Sequence, residues 1–235
     1  MAAIILSARG LSKHYDGIKA VEAVDFDLQA GQIHALIGPN GAGKTTFVSL
    51  LSGRIPPSAG RITFDGADIT KLPAHERVAR GIAYTFQITS IYANLPVFDN
   101  VALAIQRKGS RTLRADTMAA LARVGLDPMA DQIAGTLAYG HQRLLEIAMG
   151  LSMDPKLLIL DEPTQGLANA EIDAFNTLIR AVTPKTTVLL IEHNMDVVMD
   201  LADQITVLNF GETLATGTPA EIRANPAVQS AYLGG

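Results

Sequence analysis

"QIHALIGPNGAGKTTFVSLLSG", residues 32–53, decides the architecture of this chain. The apolar run "IHALI" ends in a glycine-rich turn, and the turn feeds "TTFVSLLSG", which reads as a helix closing near Gly53. Gly38, Pro39, Asn40, Gly41, Ala42, Gly43, Lys44 and Thr45 fit G-x-x-x-x-G-K-[ST] in full, in the strand–loop–helix context that a phosphate-binding loop requires. The glycines let the backbone wrap closely and point successive N–H groups inward, and the helix adds its positive dipole end. Lys44 places a compact cation at the β- and γ-phosphates. The Thr45 hydroxyl, followed by Thr46, can ligate Mg²⁺, which prefers oxygen. The pattern arises by chance in roughly one chain of this length in a hundred, and the strand and helix around it lower that further.

The rest of the chain arranges itself around this unit. "IILSARGLSKHY" and "AVEAVDFDLQ" read as strands, and Val24, Phe26 and Leu28 alternate with Asp25, Asp27 and Gln29, giving one wet face. "RITFDGADI" reads as a hairpin turning at Asp65-Gly66. "PAHERVAR" is a short helix and "IAYTF" another strand. From about Ile88 to Gly150 the β signals stop, and "PVFDNVALAIQR", "RTLRADTMAALARVG" and "HQRLLEIAMGL" read as helices. Apolar strands then alternate with helices again: "KLLILDE", "ANAEIDAFNTLIRAV", "TTVLLIEH", "NMDVVMDLA" and "QITVLN". That alternation predicts a mostly parallel sheet covered on both faces. Near the end Thr218, Pro219 and Glu221 form a capping-box sequence.

Two strands end in chemistry. "LLILDE" delivers Asp161 and Glu162, and ligands of open α/β sheets sit beyond the carboxyl ends of the strands. Asp161 would hold Mg²⁺ beside the loop, and Glu162, one residue on, could polarise a water attacking the γ-phosphate. Paired acids at a strand end are also common as plain solvated groups; the phosphate loop shifts the balance toward chemistry. "LLIEH" repeats the geometry with Glu192 and His193, whose imidazole could bond a γ-phosphate oxygen. Gln87, after "IAYTF", is a third such position, where a neutral amide can orient water or meet Mg²⁺.

The composition narrows the class. A chain of 235 residues that is 48% hydrophobic can bury a full core without disulfides, and with no cysteine it has neither a thiol nucleophile nor a cysteine metal site. A net charge of −4 argues against nucleic acid as the main ligand. No basic region precedes the short apolar run of the N-terminus, which makes it a poor signal peptide. The longest uncharged run, Gly81 to Phe98, is too polar to span a bilayer. A soluble protein is expected, free to dock on a membrane protein.

With these residues assembled, the chain resembles the nucleotide-binding subunits of the ATP-binding cassette (ABC) family from about Leu6 to Leu233. The resemblance implies an α/β phosphate-loop NTPase core, a mostly parallel sheet with helices on both faces, carrying an N-terminal antiparallel β-subdomain and an inserted α-helical subdomain. On that reading residues 1–87 with 151–235 form the core and 88–150 the insert, all within one cassette of 1–235. "GPNGAGKTT" looks like the Walker A motif and "LLILDE" like Walker B with its catalytic glutamate. Gln87 matches the Q-loop, His193 the switch histidine, and Tyr15 in "KHYDGIKAV" the aromatic that stacks on adenine. The cofactors implied are ATP and Mg²⁺.

"LAYGH", residues 137–141, stands where the family carries its signature, usually LSGGQ. In the family two cassettes pack head to tail, and each ATP lies between the phosphate loop of one and the signature of the other. Leu137, Ala138, Tyr139, Gly140 and His141 would therefore serve a partner's nucleotide, their glycine opening the helix of "QRLLEIAMGL". Ala138 replaces a serine that would bond the γ-phosphate, and Ala168 stands where many relatives carry an aspartate. "LAYG", "IEHNMDVV" and the tail "GTPAEIRANPAVQSAYLGG" are most similar to the ATP-binding subunits of branched-chain amino acid importers and their urea-type relatives. The partners implied are a second cassette, identical or a sister chain, two transmembrane permease subunits and, indirectly, a solute-binding protein, with no nucleic acid. The location implied is the cytoplasmic face of the cell membrane. A soluble ABC ATPase outside transport, an exporter ATPase of the lipopolysaccharide-export kind and a phosphate-loop kinase remain open as alternatives.

Overall fold

The computed structural model describes residues 3–85, 90–106, 109 and 111–233. Its central sheet is built from Ile33–Ile37 (β3), Ile82–Tyr84 (β6), Leu157–Asp161 (β7), Thr187–Ile191 (β8), Gln204–Asn209 (β9) and Glu212–Gly217 (β10), in the order β10-β9-β3-β8-β7-β6. Pairing is parallel from β9 across to β6, and only β10 runs antiparallel. Every residue of β3, β7 and β8 is buried, as a sheet covered on both faces demands. The two-residue period sorts their side chains: Leu157 and Ile159 join the core on one face, Leu158 and Leu160 the core on the other.

Ile4–Tyr15 (β1), Ile18–Gln29 (β2), Ala59–Phe64 (β4) and Ala67–Asp68 (β5) form a separate antiparallel sheet. Val24, Phe26 and Leu28 of β2 are buried and face Lys44–Ser52 (α1) through a Phe26–Phe47 ring contact of 5.4 Å. The β4–β5 turn falls on Asp65-Gly66, both with left-handed φ. Between β6 and β7 the chain forms Val97–Gln106 (α3), Leu113–Arg123 (α4) and Tyr139–Leu151 (α5), which share the core on one face of the central sheet. Asn169–Val182 (α6) and Met195–Leu201 (α7) follow β7 and β8, and Pro219–Ala224 (α8) and Pro226–Leu233 (α9) close the described chain. The Thr218 capping box forms: Glu221 Oε2 accepts from Thr218 N at 2.7 Å, and Thr218 Oγ1 accepts from Glu221 N at 3.4 Å. Among the described residues no helix is long and apolar enough to cross a membrane.

The helix behind the phosphate loop is anchored by a residue from outside the strand–loop–helix unit. Arg77, on Ala74–Ala79 (α2), is 1% exposed. Its Nη1 donates to Leu50 O at 2.7 Å and Leu51 O at 2.9 Å, its Nε to Leu72 O at 2.9 Å and its Nη2 to Thr70 O at 3.1 Å. A guanidinium at the C-terminal end of α1 satisfies orphan carbonyls and opposes the negative end of the helix dipole. Burial in turn pulls the Arg77 pKa down to about 10. Arg77→Met should lower the free energy of unfolding by about 3 kcal/mol, because it leaves buried carbonyls without donors. Urea denaturation at constant m-value checks this, and a loss under about 1 kcal/mol would show that water satisfies those carbonyls instead.

Candidate active site

The turn between β3 and α1 is shaped by close approach of neighbouring backbone. A Cβ on Gly38 (φ 154°) would lie 2.2 Å from Leu208 O, and one on Gly43 (φ 96°) would lie 2.3 Å from Ala20 O. Glycine is therefore required at both places by the strands that press on the loop. The loop is tied to the β9–β10 turn by Gly211 N donating to Ala42 O at 3.0 Å. The first N–H groups of α1 have no partner within the helix, and Lys44, Thr45 and Thr46, which carry them, all line the space above the loop. Lys44 is 7% exposed, and its Nζ donates to Gly38 O at 2.6 Å and Pro39 O at 3.0 Å. Burial pulls its pKa down, while the negative charges of Glu162 and Asp161 push it back up.

A cavity of about 560 Å³ opens over this loop. Asn40 to Thr46 form its floor, and Glu162 and His193 its wall. Ile18, Lys19 and Ala20 of β2 and Phe210 of the β9–β10 turn close its edge. The ends of β7 and β8 thus meet the loop, as their sequence pattern suggested. Glu162 takes a left-handed φ of 49°, with its N–H on Ile191 O at 2.8 Å. Its Oε1 lies 2.7 Å from His193 Nε2. Asp161 does not line this cavity: it is 4% exposed and its Oδ2 accepts from the Tyr84 hydroxyl at 2.7 Å. Burial raises the Asp161 carboxyl pKa against the lowering effect of that hydrogen bond. Tyr84 was not legible as a site residue, because only the β6–β7 register brings it to the end of β7.

Tyr15, expected to stack on the base, stands apart from the cavity. Tyr15 lies at the outer end of the β1–β2 hairpin, opposite Ile18, and Ile18, not Tyr15, lines the cavity. The Tyr15 ring is 43% exposed, with Lys13 Nζ 5.1 Å from its centroid. Gln87 lies outside the described residues.

The "LAYGH" stretch is likewise absent from the cavity wall of its own chain. Ala138 is the N-cap of α5, and the helix begins at Tyr139, so Gly140 sits inside its first turn and does not open it. A Cβ there would lie 2.1 Å from Glu171 Oε1, so any larger residue would push that carboxylate aside. Glu171 Oε2 in turn accepts from Ala168 N at 2.8 Å at the start of α6. The Tyr139 ring covers Gly166, whose added Cβ would come within 3.1 Å of it, and the Arg143 guanidinium lies 5.6 Å from that ring. Ala138 and Tyr139 are exposed, Leu137 and Gly140 buried and His141 half-buried. Behind the turn Ile147, Ala148 and Leu151 are core, with Leu144 packed against them.

A phosphate loop, an acid pair at the end of the next strand but one and a histidine at the end of its neighbour define an ATP-binding cassette. The chain belongs to the ABC transporter family, whose model matches residues 21–165, and it is an ATPase subunit of that family. A second model, described as branched-chain amino acid ATP-binding cassette transporter, matches residues 212–235. The chain is 39% identical to the high-affinity branched-chain amino acid transport ATP-binding protein BraF of Pseudomonas aeruginosa, over 100% of this chain and 99% of that protein. It is 38% identical to the corresponding LivG protein of Escherichia coli K12, with the same coverage. The ADP conformation of an ATP-binding cassette of an ABC transporter superposes with a TM-score of 0.90 at 26% identity, covering 100% of both chains.

Proposed function

We propose that this chain is the ATP-hydrolysing motor of an importer for branched-chain amino acids. The observation that carries the motor reading is the meeting of Lys44, Glu162 and His193 around one cavity over the phosphate loop. In this reading the loop Gly38 to Thr46 holds the phosphates through Lys44 and the N–H groups that follow Pro39. Glu162 is the general base for water, and His193 donates to the γ-phosphate. Tyr15, across the hairpin from the cavity-lining Ile18, stacks on an adenine that reaches past the cavity edge. Thr45 and Gln87 would hold Mg²⁺, with Asp161, buried beside the cavity, reaching it through water; hydroxyl and carboxylate are oxygen donors of the kind that ion takes, and bound there it would neutralise phosphate charge. The solute assignment is supported by the names of the relatives and by the match at residues 212–235.

The exposed face of the turn Leu137 to His141 serves a second cassette, packed head to tail, so half of each ATP site comes from the partner. Two permease subunits hold the dimer at the cytoplasmic face of the membrane, and a solute-binding protein delivers to them. Residues 88–150 are the inserted helical subdomain, and 1–87 with 151–235 the core that carries it. A groove of about 310 Å³ between that unit and the core takes a short helix of the permease; Tyr84, Tyr92, Glu146 and Met149 are among the residues lining it. Cells lacking this chain should lose high-affinity uptake of labelled leucine, isoleucine and valine, and the wild-type chain should restore it. Uptake that persists at the wild-type rate would overturn the solute assignment.

A further inference from the structure

Glu192, beside the switch histidine, is 4% exposed, and the proposed chemistry gives it no part. Both of its carboxylate oxygens are engaged by backbone from different loops. Oε1 accepts from Thr164 N at 3.0 Å and from the Thr164 hydroxyl in a very short contact. Oε2 accepts from His193 N at 2.7 Å and Asn194 N at 3.0 Å. Thr164 lies two residues beyond Glu162, in the segment that leads to Gly166 and Ala168. Asn194 caps α7, its Oδ1 accepting from Asp196 N at 3.1 Å and Val197 N at 3.4 Å. One buried carboxylate thus ties the backbone after Glu162 to the backbone of His193.

We propose that Glu192 is a positioning residue, which sets the 2.7 Å approach of His193 Nε2 to Glu162 by stapling their two loops together. A buried charge is retained at a cost unless donors surround it, and four donors do so here. Only a carboxylate satisfies them, because it accepts on both oxygens. A glutamine offers one carbonyl oxygen, and its NH₂ must then face a backbone N–H of Thr164 or of His193 and Asn194. Either orientation releases one loop. Whichever loop is released, His193 Nε2 moves off the Glu162 carboxylate, and a shift of a fraction of an ångström in that approach slows chemistry while Lys44 and the phosphate loop still hold the nucleotide. The same staple reaches the segment against which Tyr139 packs, so it also braces the face offered to a partner.

This inference rests on the roles proposed for Glu162 and His193, and the test separates the two levels. Steady-state ATP hydrolysis by the full-length chain is measured for Glu192→Gln, His193→Ala and the double variant, with ATP affinity measured alongside. Glu192→Gln should cut kcat about tenfold or more. KM and ATP affinity should stay within about twofold. In the His193→Ala background the same change should cost almost nothing further, since its route is already gone. An equal cost in both backgrounds, or wild-type turnover in Glu192→Gln while His193→Ala is slow, would overturn the staple and leave the site reading standing. Wild-type turnover in His193→Ala would overturn both. Should Glu192→Gln fail to fold, Thr164→Val carries the same cycle: it removes one hydroxyl donor at constant shape and should cut kcat about threefold, again only when His193 is present.

Discussion

Glu162→Gln should slow ATP turnover by about 100- to 10,000-fold, the range that loss of a positioned general base carries. ATP affinity should hold or improve. The change keeps the shape of a residue whose backbone is already committed: φ is 49°, and its N–H is bonded to Ile191 O at 2.8 Å. Glutamine tolerates that conformation no worse than glutamate, so the fold is not the variable. What disappears is a carboxylate in the wall of the cavity, 2.7 Å from His193 Nε2. Its negative charge repels the γ-phosphate in the ground state and accepts a proton from water in the transition state. Removing it therefore relieves binding and blocks chemistry. If two cassettes close on ATP and reopen after hydrolysis, the variant should also elute as an ATP-dependent dimer in size-exclusion chromatography. Phosphate release near the wild-type rate would end the general-base assignment.

Different physics made different parts of the molecule legible. β3, β7 and β8 were readable because full burial on both faces leaves an unbroken apolar run, and the residue ending each run is where the sheet meets its ligand. The Thr218 cap and the Asp65-Gly66 turn were readable because both are local chemistry. β10 was not read, since "ETLATG" is an edge strand with no buried alternation to announce it. α9 was missed for a similar reason, being short and weakly amphipathic. Contacts fixed by register or by packing across the molecule left no trace in the sequence. The Tyr84–Asp161 hydrogen bond needs the β6–β7 pairing, and the approach of the Glu171 carboxylate to Gly140 needs α5 packed beside the start of α6. Glu192 shows the limit most clearly: a second acid at a strand end looks the same as Glu162, and only its four donors reveal that it braces the site instead of facing it.

Lys44→Ala should weaken ATP binding by about 100-fold or more, the scale of losing a charge-assisted contact to phosphate. Lys44 is held ready for that contact. Its Nζ rests on Gly38 O and Pro39 O, the carbonyls at the start of the loop, so the ammonium is fixed at the lip of the cavity before any nucleotide arrives. Burial weakens its hold on the proton, but Asp161 and Glu162 lie close enough to strengthen it, and incoming phosphate adds negative charge on the other side. Alanine loses the cation and leaves the two carbonyls facing the phosphates, so attraction becomes repulsion. Arginine should not rescue it: the site offers two carbonyls and little room, and a planar fork cannot replace a compact ammonium there. Calorimetric titration of the full-length chain with ATP measures both variants, and urea denaturation shows whether they fold. Affinity in Lys44→Ala within a few-fold of wild type would mean that backbone N–H groups alone hold the phosphates, and that the lysine's bonds to Gly38 and Pro39 serve only to brace the loop.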